Sequence, residues 1–299
     1  MIPGYMPFLR FIFRQRTLYI KLLMTQKKHL APFNLQVPRF LAILLLAISP
    51  LAASPLHAGD PEVGSPPASL GLDPFYKKYV DAGGFPVISS ARVPDEALLK
   101  AREVILAMTA ELPEHILDTM RARGVRLGIM AARYEGTTDI PEHRFLKNDT
   151  TMNWDVRARG LGGTPRLPLT TASEENILCY QIDKYHAEDI LVHEFAHTIH
   201  LVGIVLNDPN FNNRLQKMLD HARSRGLWKD TYAETNIEEY WAEGVQTWFN
   251  VNATVPEADG LHNHIGTRAQ LKEYDPGLYE LLKSFFPDND DCISCHCKK

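Results

Sequence analysis

The clearest chemical signal in the sequence is the pattern HEFAH at residues 193–197. His193 and His197 lie four residues apart, so that on a helix both imidazoles share one face and can bind a single zinc ion. Glu194 lies beside them, where its carboxylate can take a proton from a water molecule at the metal. Residues 190–202 are otherwise largely apolar, which predicts a buried helix whose few polar side chains need partners. The pattern therefore predicts a metal site.

A hydrolytic zinc site needs a third protein ligand and keeps one position open for water. The extended pattern HExxHxxGxxH would require glycine at position 200 and histidine at position 203. The chain instead has His200 and Gly203, which excludes that class of site. His200 is interpreted as a packed histidine or as a support for a ligand. We therefore expect the third ligand to be a carboxylate from a later helix.

Residues 235–250 (TNIEEYWAEGVQTWFN) predict that later helix. Thr235 and Glu238 form a capping box at its start. The polar side chains of one face are Glu239, Glu243, Gln246 and Asn250. Like charges four residues apart repel each other, and a nearby cation would relieve this repulsion, although a solvated acidic face is the alternative. We assign Glu239 as the third ligand and Glu243 as the acceptor for an N–H group of a ligand histidine.

The segment YAETNIEEYWAE, which contains Tyr232, Glu239 and Glu243, resembles the catalytic domain of anthrax lethal factor and the secreted metallopeptidases grouped with it. In that superfamily a tyrosine follows the HExxH helix, the ligand glutamate comes seven residues later, and a second glutamate comes four residues after that. The segments FYKKYVDAGG, TTDIPEHR, RGLGGTP and EENILCY extend the similarity over residues 74–286. The resemblance implies a gluzincin-type zinc hydrolase, in which Tyr232 stabilises the oxyanion, and it implies no particular substrate.

The elements that position these residues predict an α+β fold. We expect a small N-terminal sheet with helices, followed by a mostly helical zincin-type C-terminal half that carries the HExxH helix and the Glu-ligand helix. Strands are predicted at residues 86–90, 125–132 and 176–182. Helices are predicted at residues 94–110 and 114–123, and again from Ala187 onward. Residues 133–175 predict a long irregular stretch, which is usually functional or flexible.

The N-terminal segment predicts export. Residues 40–53 form an uncharged apolar run of 14 residues after a basic stretch without acidic side chains, which is typical of a secretory signal peptide. The run is shorter than the roughly 20 residues of a membrane-spanning helix, so we expect no stable membrane anchor after processing. Translation could start at Met1 or Met24. The predicted domains are a signal peptide with an extended n-region at 1–58, a linker at 59–73 and a zincin-like metallohydrolase domain at 74–299.

The charge distribution excludes one class of partner. The whole chain has a net charge of -4, but residues 1–59 contain seven basic and no acidic side chains. The remaining residues therefore carry 25 basic and 36 acidic side chains, a net charge of -11. Because an acidic surface repels phosphate backbones, we expect no nucleic-acid partner. The expected partner is a peptide or protein substrate.

Four cysteines predict a disulfide in an exported protein. Cys179 stands alone, whereas the other three lie in the C-terminal segment CISCHC, so we expect Cys179 to pair with one of Cys292, Cys295 or Cys297. The CxxCH form is also used for haem attachment, but the segment offers neither an apolar pocket nor a second axial ligand.

Several other residues are further candidates for the site. His262 and His264 lie in a polar segment between helices, where solvated histidines are the expected interpretation. Trp154, Arg157 and Arg159 lie near the RGLGG segment and could contact a substrate or serve as ordinary surface residues.

Together these features predict an exported metallopeptidase, secreted or periplasmic, with one zinc per chain and a zinc-activated water that attacks a peptide bond. One alternative is a zinc hydrolase of another amide, in a cell wall or a glycan. Another is a catalytically silent binding protein that is stabilised by zinc. Glu194 and Tyr232 argue against the silent protein, because structure alone would require neither.

Overall fold

The computed structural model describes residues 61–289 and 291–298 of the chain. The predicted signal peptide and both candidate start sites lie outside these residues. Glu62–Lys299 forms one compact unit. Gly64 exchanges two backbone hydrogen bonds with Tyr79, at 2.9 and 2.8 Å, so part of the segment predicted as a linker pairs with the folded body.

A four-stranded sheet lies in the first half of the fold, with its strands in the order β1-β2-β3-β4. The strands are β1 (Lys78–Asp81), β2 (Pro86–Ser89), β3 (Arg126–Met130) and β4 (Leu169–Ser173). β1 and β2 are antiparallel, whereas β2, β3 and β4 run parallel to one another. The strands predicted at 86–90 and 125–132 are confirmed. Parallel neighbours need a crossover connection, and the two predicted helices between β2 and β3 supply it.

Helices dominate the rest of the described residues, as predicted. The α-helices are α1 (Asp95–Thr109), α2 (Glu114–Ala122), α3 (Trp154–Arg157), α4 (Glu174–Ile177), α5 (Ile190–Thr198), α6 (Phe211–Ser224), α7 (Ile237–Trp248), α8 (Arg268–Tyr274) and α9 (Pro276–Lys283). Short 3-10 helices span Ala68–Leu70, Thr137–Asp139 and Pro141–Asn148. The stretch predicted to be irregular therefore contains two 3-10 helices, α3 and β4.

The strand predicted at residues 176–182 is wrong. Residues 174–177 form the single turn α4, and Cys179 then adopts a left-handed backbone conformation with φ 52°, which ends any regular element. The side-chain amide of Asn176 donates to Glu188 O at 2.9 Å, and its oxygen accepts from Ile190 N at 2.8 Å. Asn176 thus ties this segment to the start of α5.

The helix α5 lies in the core between β4 and α7, and all nine of its residues are buried. It continues through a π-helical segment, Ile199–Ile204, and a last turn, Val205–Asn207. The span Ile190–Asn207 is long and apolar enough to cross a membrane, but 78% of it is buried inside the protein, as in a core helix. Trp241 of α7 donates from Nε1 to Ala196 O at 2.9 Å, which fixes α7 against α5.

The start of α7 differs in detail from the predicted capping box of Thr235 and Glu238. Asn236 is the N-cap, and its side-chain oxygen accepts from Glu239 N at 2.9 Å. Thr235 instead donates from Oγ1 to Tyr232 O at 2.7 Å. Asparagine is as good an N-cap as serine or aspartate, so the cap lies one residue later than the pattern predicted.

Two disulfides involve all four cysteines. Cys179 pairs with Cys295 across 116 residues of sequence, with 6.3 Å between their Cα atoms. Cys292 pairs with Cys297 within the C-terminal segment. The prediction that Cys179 pairs with a C-terminal cysteine is confirmed, and its partner is Cys295.

Candidate metal centre

Three ligand atoms from α5 and α7 meet at one point. The distance is 3.1 Å from His193 Nε2 to Glu239 Oε2 and 3.1 Å from His193 Nε2 to His197 Nε2. His197 Nε2 lies 3.3 Å from Glu239 Oε2. A tetrahedral ion with bonds of about 2.0–2.1 Å holds neighbouring ligand atoms about 3.3–3.4 Å apart. The three side chains therefore fit a metal ion, and each of them is at most 6% exposed.

Gln246 determines which nitrogen of His193 can bind a metal. The Gln246 amide nitrogen donates to Asp189 O at 3.0 Å and to Glu188 Oε2 at 3.3 Å, and both of these atoms can only accept. The Gln246 oxygen must then face His193 Nδ1, 2.8 Å away, which makes Nδ1 the donor. On this assignment from the hydrogen-bond network, Nε2 of neutral His193 carries a lone pair directed at His197 and Glu239.

Glu243 lies close to His193 but is not the nearest acceptor. Its Oε1 atom is 3.6 Å from His193 Nδ1, and its Oε2 atom accepts from Asn252 at 2.9 Å. The role that the sequence analysis assigned to Glu243 is thus occupied by Gln246, one turn further along the same face of α7. The sequence showed Gln246 on that polar face, but not which polar side chain reaches the imidazole.

Glu194 is 4% exposed and faces a glycine-rich segment. A Cβ atom added to Gly162 would come within 2.7 Å of His197 Cβ and within 3.4 Å of Glu194 Oε2. A Cβ atom added to Gly160 would come within 2.9 Å of Glu194 Cγ. Only glycine allows the backbone to pass this close to α5. The segment RGLGG thus brings main-chain groups beside the carboxylate of Glu194.

This segment also pairs with the edge of the sheet. Leu161 and Thr171 of β4 exchange two backbone hydrogen bonds, at 3.2 and 2.8 Å. In an antiparallel pair of this type, the main-chain groups of the neighbouring residues point to the opposite side. The main-chain groups of Gly160 and Gly162 therefore point away from β4, at the edge that lies beside the metal centre.

Tyr232 belongs to the same centre. Its ring is stacked on the imidazole of His193, with 6.1 Å between the centroids and an angle of 15° between the planes. Its hydroxyl donates to Glu239 Oε1 at 3.1 Å. The fold thus brings all six predicted site residues close to one another. Tyr232 contacts two of the three ligand residues, Glu243 lies at the Nδ1 edge of His193, and Glu194 lies beside the glycine segment.

A second group of titratable residues adjoins the centre and contains His262, which the sequence analysis interpreted as solvated. His262 Nε2 lies 3.3 Å from Glu188 Oε2. Burial alone would lower the pKa of His262, but the hydrogen bond to Glu188 and the charges of Glu188 and Glu243 raise it to about 9. Burial raises the pKa of Glu243. His262 is a partner of carboxylates, in contrast to the exposed His264.

The other candidates have structural roles. His200 donates from Nε2 to Asn212 Oδ1 at 2.7 Å and packs against aromatic rings, and burial lowers its pKa to about 4. Arg159 is buried and forms two hydrogen bonds with the carboxylate of Glu175, at 2.6 and 2.8 Å. This ion pair anchors the start of the glycine segment, so Arg159 does not face a substrate. Trp154 is buried and donates to Asp149.

No protein-family model, curated protein or solved structure matches this chain. The function is therefore inferred from the chemistry of the residues that the fold brings together.

Proposed function

We propose that this protein is a gluzincin-like, zinc-dependent hydrolase of peptide bonds, with one catalytic zinc bound by His193, His197 and Glu239. The observation that carries the proposal is the convergence of two imidazoles and one carboxylate at 3.1–3.3 Å, with a second carboxylate, that of Glu194, on the same turn of α5 as His193. Two nitrogens and one oxygen leave a fourth position for a water molecule or substrate, which is the donor set of hydrolytic zinc sites.

When bound, zinc would act as a Lewis acid that polarises the substrate carbonyl and lowers the pKa of water to about 7. Glu194 takes the proton of the attacking water and returns it to the leaving amine. Gln246 holds His193 in the tautomer whose Nε2 atom carries a lone pair for the metal. Tyr232 is within hydrogen-bond distance of Glu239 and can turn its hydroxyl to the oxyanion that forms on the former carbonyl oxygen.

The glycine segment supports a peptide substrate over another amide. An extended peptide can pair with an exposed strand edge through its main chain, whereas a sugar amide cannot form such a ladder. Gly160 and Gly162 lie beside Glu194, so a peptide that paired with this segment would pass the metal centre. We infer that main-chain pairing, together with the residues of this edge, selects an extended peptide.

The two disulfides support an extracytoplasmic location. Structural disulfides persist in oxidising compartments such as the periplasm and the extracellular medium. The pairs Cys179–Cys295 and Cys292–Cys297 therefore agree with export, which the apolar run at residues 40–53 predicts. We propose that the protein acts outside the cytoplasm.

The experiment that tests the proposal is turnover of a peptide library by the zinc-loaded protein. Glu194→Gln should retain the metal and the fold but lose about 10²- to 10⁴-fold in kcat, because proton transfer is removed. Tyr232→Phe should lower kcat by about 10²- to 10³-fold with little change in KM, because only an oxyanion donor is lost.

Glu257→Gln in the exposed segment after α7 is the matched control and should leave turnover unchanged. Wild-type turnover by metal-loaded Glu194→Gln would contradict the hydrolase proposal. Unchanged turnover by Tyr232→Phe would contradict only the proposed role of the Tyr232 hydroxyl.

A further inference from the structure

A second cluster of possible ligands lies on the other side of the His193 ring. It comprises Glu188 just before α5, Glu243 of α7 and His262 in the segment after α7, and one ligand atom of each lies within 4.8 Å of the other two. None of these residues belongs to the three-ligand centre. Gln246 and the Nδ1 edge of His193 link the two clusters.

The cluster places two largely buried carboxylates beside one imidazole. In the described part of the chain, the ion-pair partners of Glu188 and Glu243 are histidines alone, without a lysine or arginine. His262 can offset one carboxylate if it is protonated. Glu243 is 3% exposed, and its Oε2 atom accepts a hydrogen bond from Asn252 at 2.9 Å. A bound cation would stabilise the ionised form of such a buried carboxylate.

The spacing in this cluster also differs from that of an ordinary ion pair. A charge-assisted N–H···O hydrogen bond usually spans about 2.7–2.9 Å. His262 Nε2 and Glu188 Oε2 are 3.3 Å apart, which equals the longest ligand separation in the first centre. An ion with bonds of about 2.0–2.2 Å holds adjacent ligand atoms about 3.0–3.4 Å apart. The spacing thus suits two ligands of one cation.

The surroundings allow an ion to enter and to retain water. The side chains of Glu188 and His262 are each 12% exposed, whereas that of Glu243 is 4% exposed. Glu188 and His262 therefore have more contact with solvent than Glu243. Water ligands on their side would complete the coordination that three protein ligands leave unfilled.

The donor set selects the class of ion. Calcium prefers six to eight oxygen ligands, and magnesium prefers oxygen and retained water. An imidazole with two carboxylates suits divalent first-row transition metals. We propose that Glu188, Glu243 and His262 form a second site for a divalent ion of this class, such as zinc, separate from the three-ligand centre.

The test is the zinc content of the full folded chain after loading with zinc and dialysis. The wild type should retain two zinc ions per chain, and His262→Gln should retain one because it lacks the only imidazole of the second cluster. Glu188→Gln should also retain one, and it provides a second variant in case His262→Gln fails to fold. Far-UV circular dichroism would establish that each variant is folded.

His264→Gln is the matched control, because His264 is exposed in the same segment and should leave two ions bound. Retention of one ion by both the wild type and His262→Gln would overturn the second site, and His262 would then be the protonated partner of Glu188. Retention of two ions by both His262→Gln and Glu188→Gln would also overturn it. Because the readout is metal content, its failure is distinguishable from failure of the hydrolase proposal, which is measured by turnover of Glu194→Gln.

Discussion

The two ligand clusters adjoin different nitrogens of the same His193 ring, yet they are assembled in different ways. The first takes two ligands from one turn of α5 and the third from α7, so every ligand lies on a buried helix. The second takes one ligand from α7 and two from irregular segments, those that carry Glu188 and His262. Regular helices hold the first cluster rigidly, whereas the second depends on how two connecting segments are anchored. This difference predicts which changes disturb one cluster and leave the other intact.

Glu239→Ala should have the largest effect and should act on the first cluster alone. The substitution removes the only carboxylate among three ligands, so most of the metal of that cluster should be lost. The second cluster contains no atom of Glu239 and should keep its ion. Metal content measured by mass spectrometry should fall by about one ion per chain, whereas the exposed Glu257→Ala should change nothing. Full occupancy in Glu239→Ala would mean that the third ligand is a different residue.

Breaking the disulfide Cys179–Cys295 should mainly affect the second cluster and the stability of the fold. This disulfide closes a long loop, across 116 residues of sequence. Cys179 lies close to Asn176, whose side-chain amide donates a hydrogen bond to Glu188 O. The paired variant Cys179→Ser and Cys295→Ser should lower the free energy of unfolding by about 4–5 kcal/mol on the chain-entropy relation. It should also weaken the second cluster more than the first. Urea unfolding, with metal content measured before denaturation, checks both results.

The other disulfide supplies the control for that experiment. Cys292 and Cys297 are separated by only five residues. The same relation gives about 2 kcal/mol for so short a loop. Equal losses of stability in the two paired variants, or unchanged binding at the second cluster, would show that the segment before α5 does not rely on the Cys179–Cys295 link.

Gln246→Leu should have the smallest of these effects. It tests which side chain supports the His193 ring that adjoins both clusters. Loss of the acceptor for Nδ1–H allows the other tautomer, so the metal affinity of the first cluster should fall by about 10- to 100-fold. Glu243→Gln should have a smaller effect on this cluster, because its carboxylate lies 3.6 Å from Nδ1 and Gln246 lies 2.8 Å from it. Competition with a chelator measures both affinities, and Gln216→Leu, at an exposed position of α6, is the control. A larger effect of Glu243→Gln would make Glu243 the main support.

The first cluster could be predicted because its geometry follows from sequence spacing. Two histidines four residues apart on a helix share a face, and the amphipathic pattern of α7 shows which side of it is polar. The apolar residues around His193 and His197 indicated burial, which α5 confirms. The position of Tyr232, seven residues before Glu239, came from the resemblance rather than from the physics of the helix.

The second cluster could not be predicted, because its residues meet only in the folded chain. Glu188 and His262 are 74 residues apart in irregular segments, so no periodic pattern relates them. The strand β4 was missed for a similar reason, since its threonines suggested a polar stretch. In the fold, the hydroxyls of Thr170 and Thr198 are 2.6 Å apart, so a partner on α5 satisfies the buried threonine. Polar residues of this kind are assigned correctly only when their distant partners are known.

The central claim, that His193, His197 and Glu239 hold one metal ion, is tested most directly by anomalous diffraction at the zinc edge from crystals of the zinc-loaded protein. The account predicts a peak about 2.0–2.1 Å from His193 Nε2, His197 Nε2 and Glu239 Oε2. The Nδ1 atom of His193 should remain hydrogen-bonded to Gln246. No peak among these three atoms, or a peak whose ligands exclude Glu239, would contradict it.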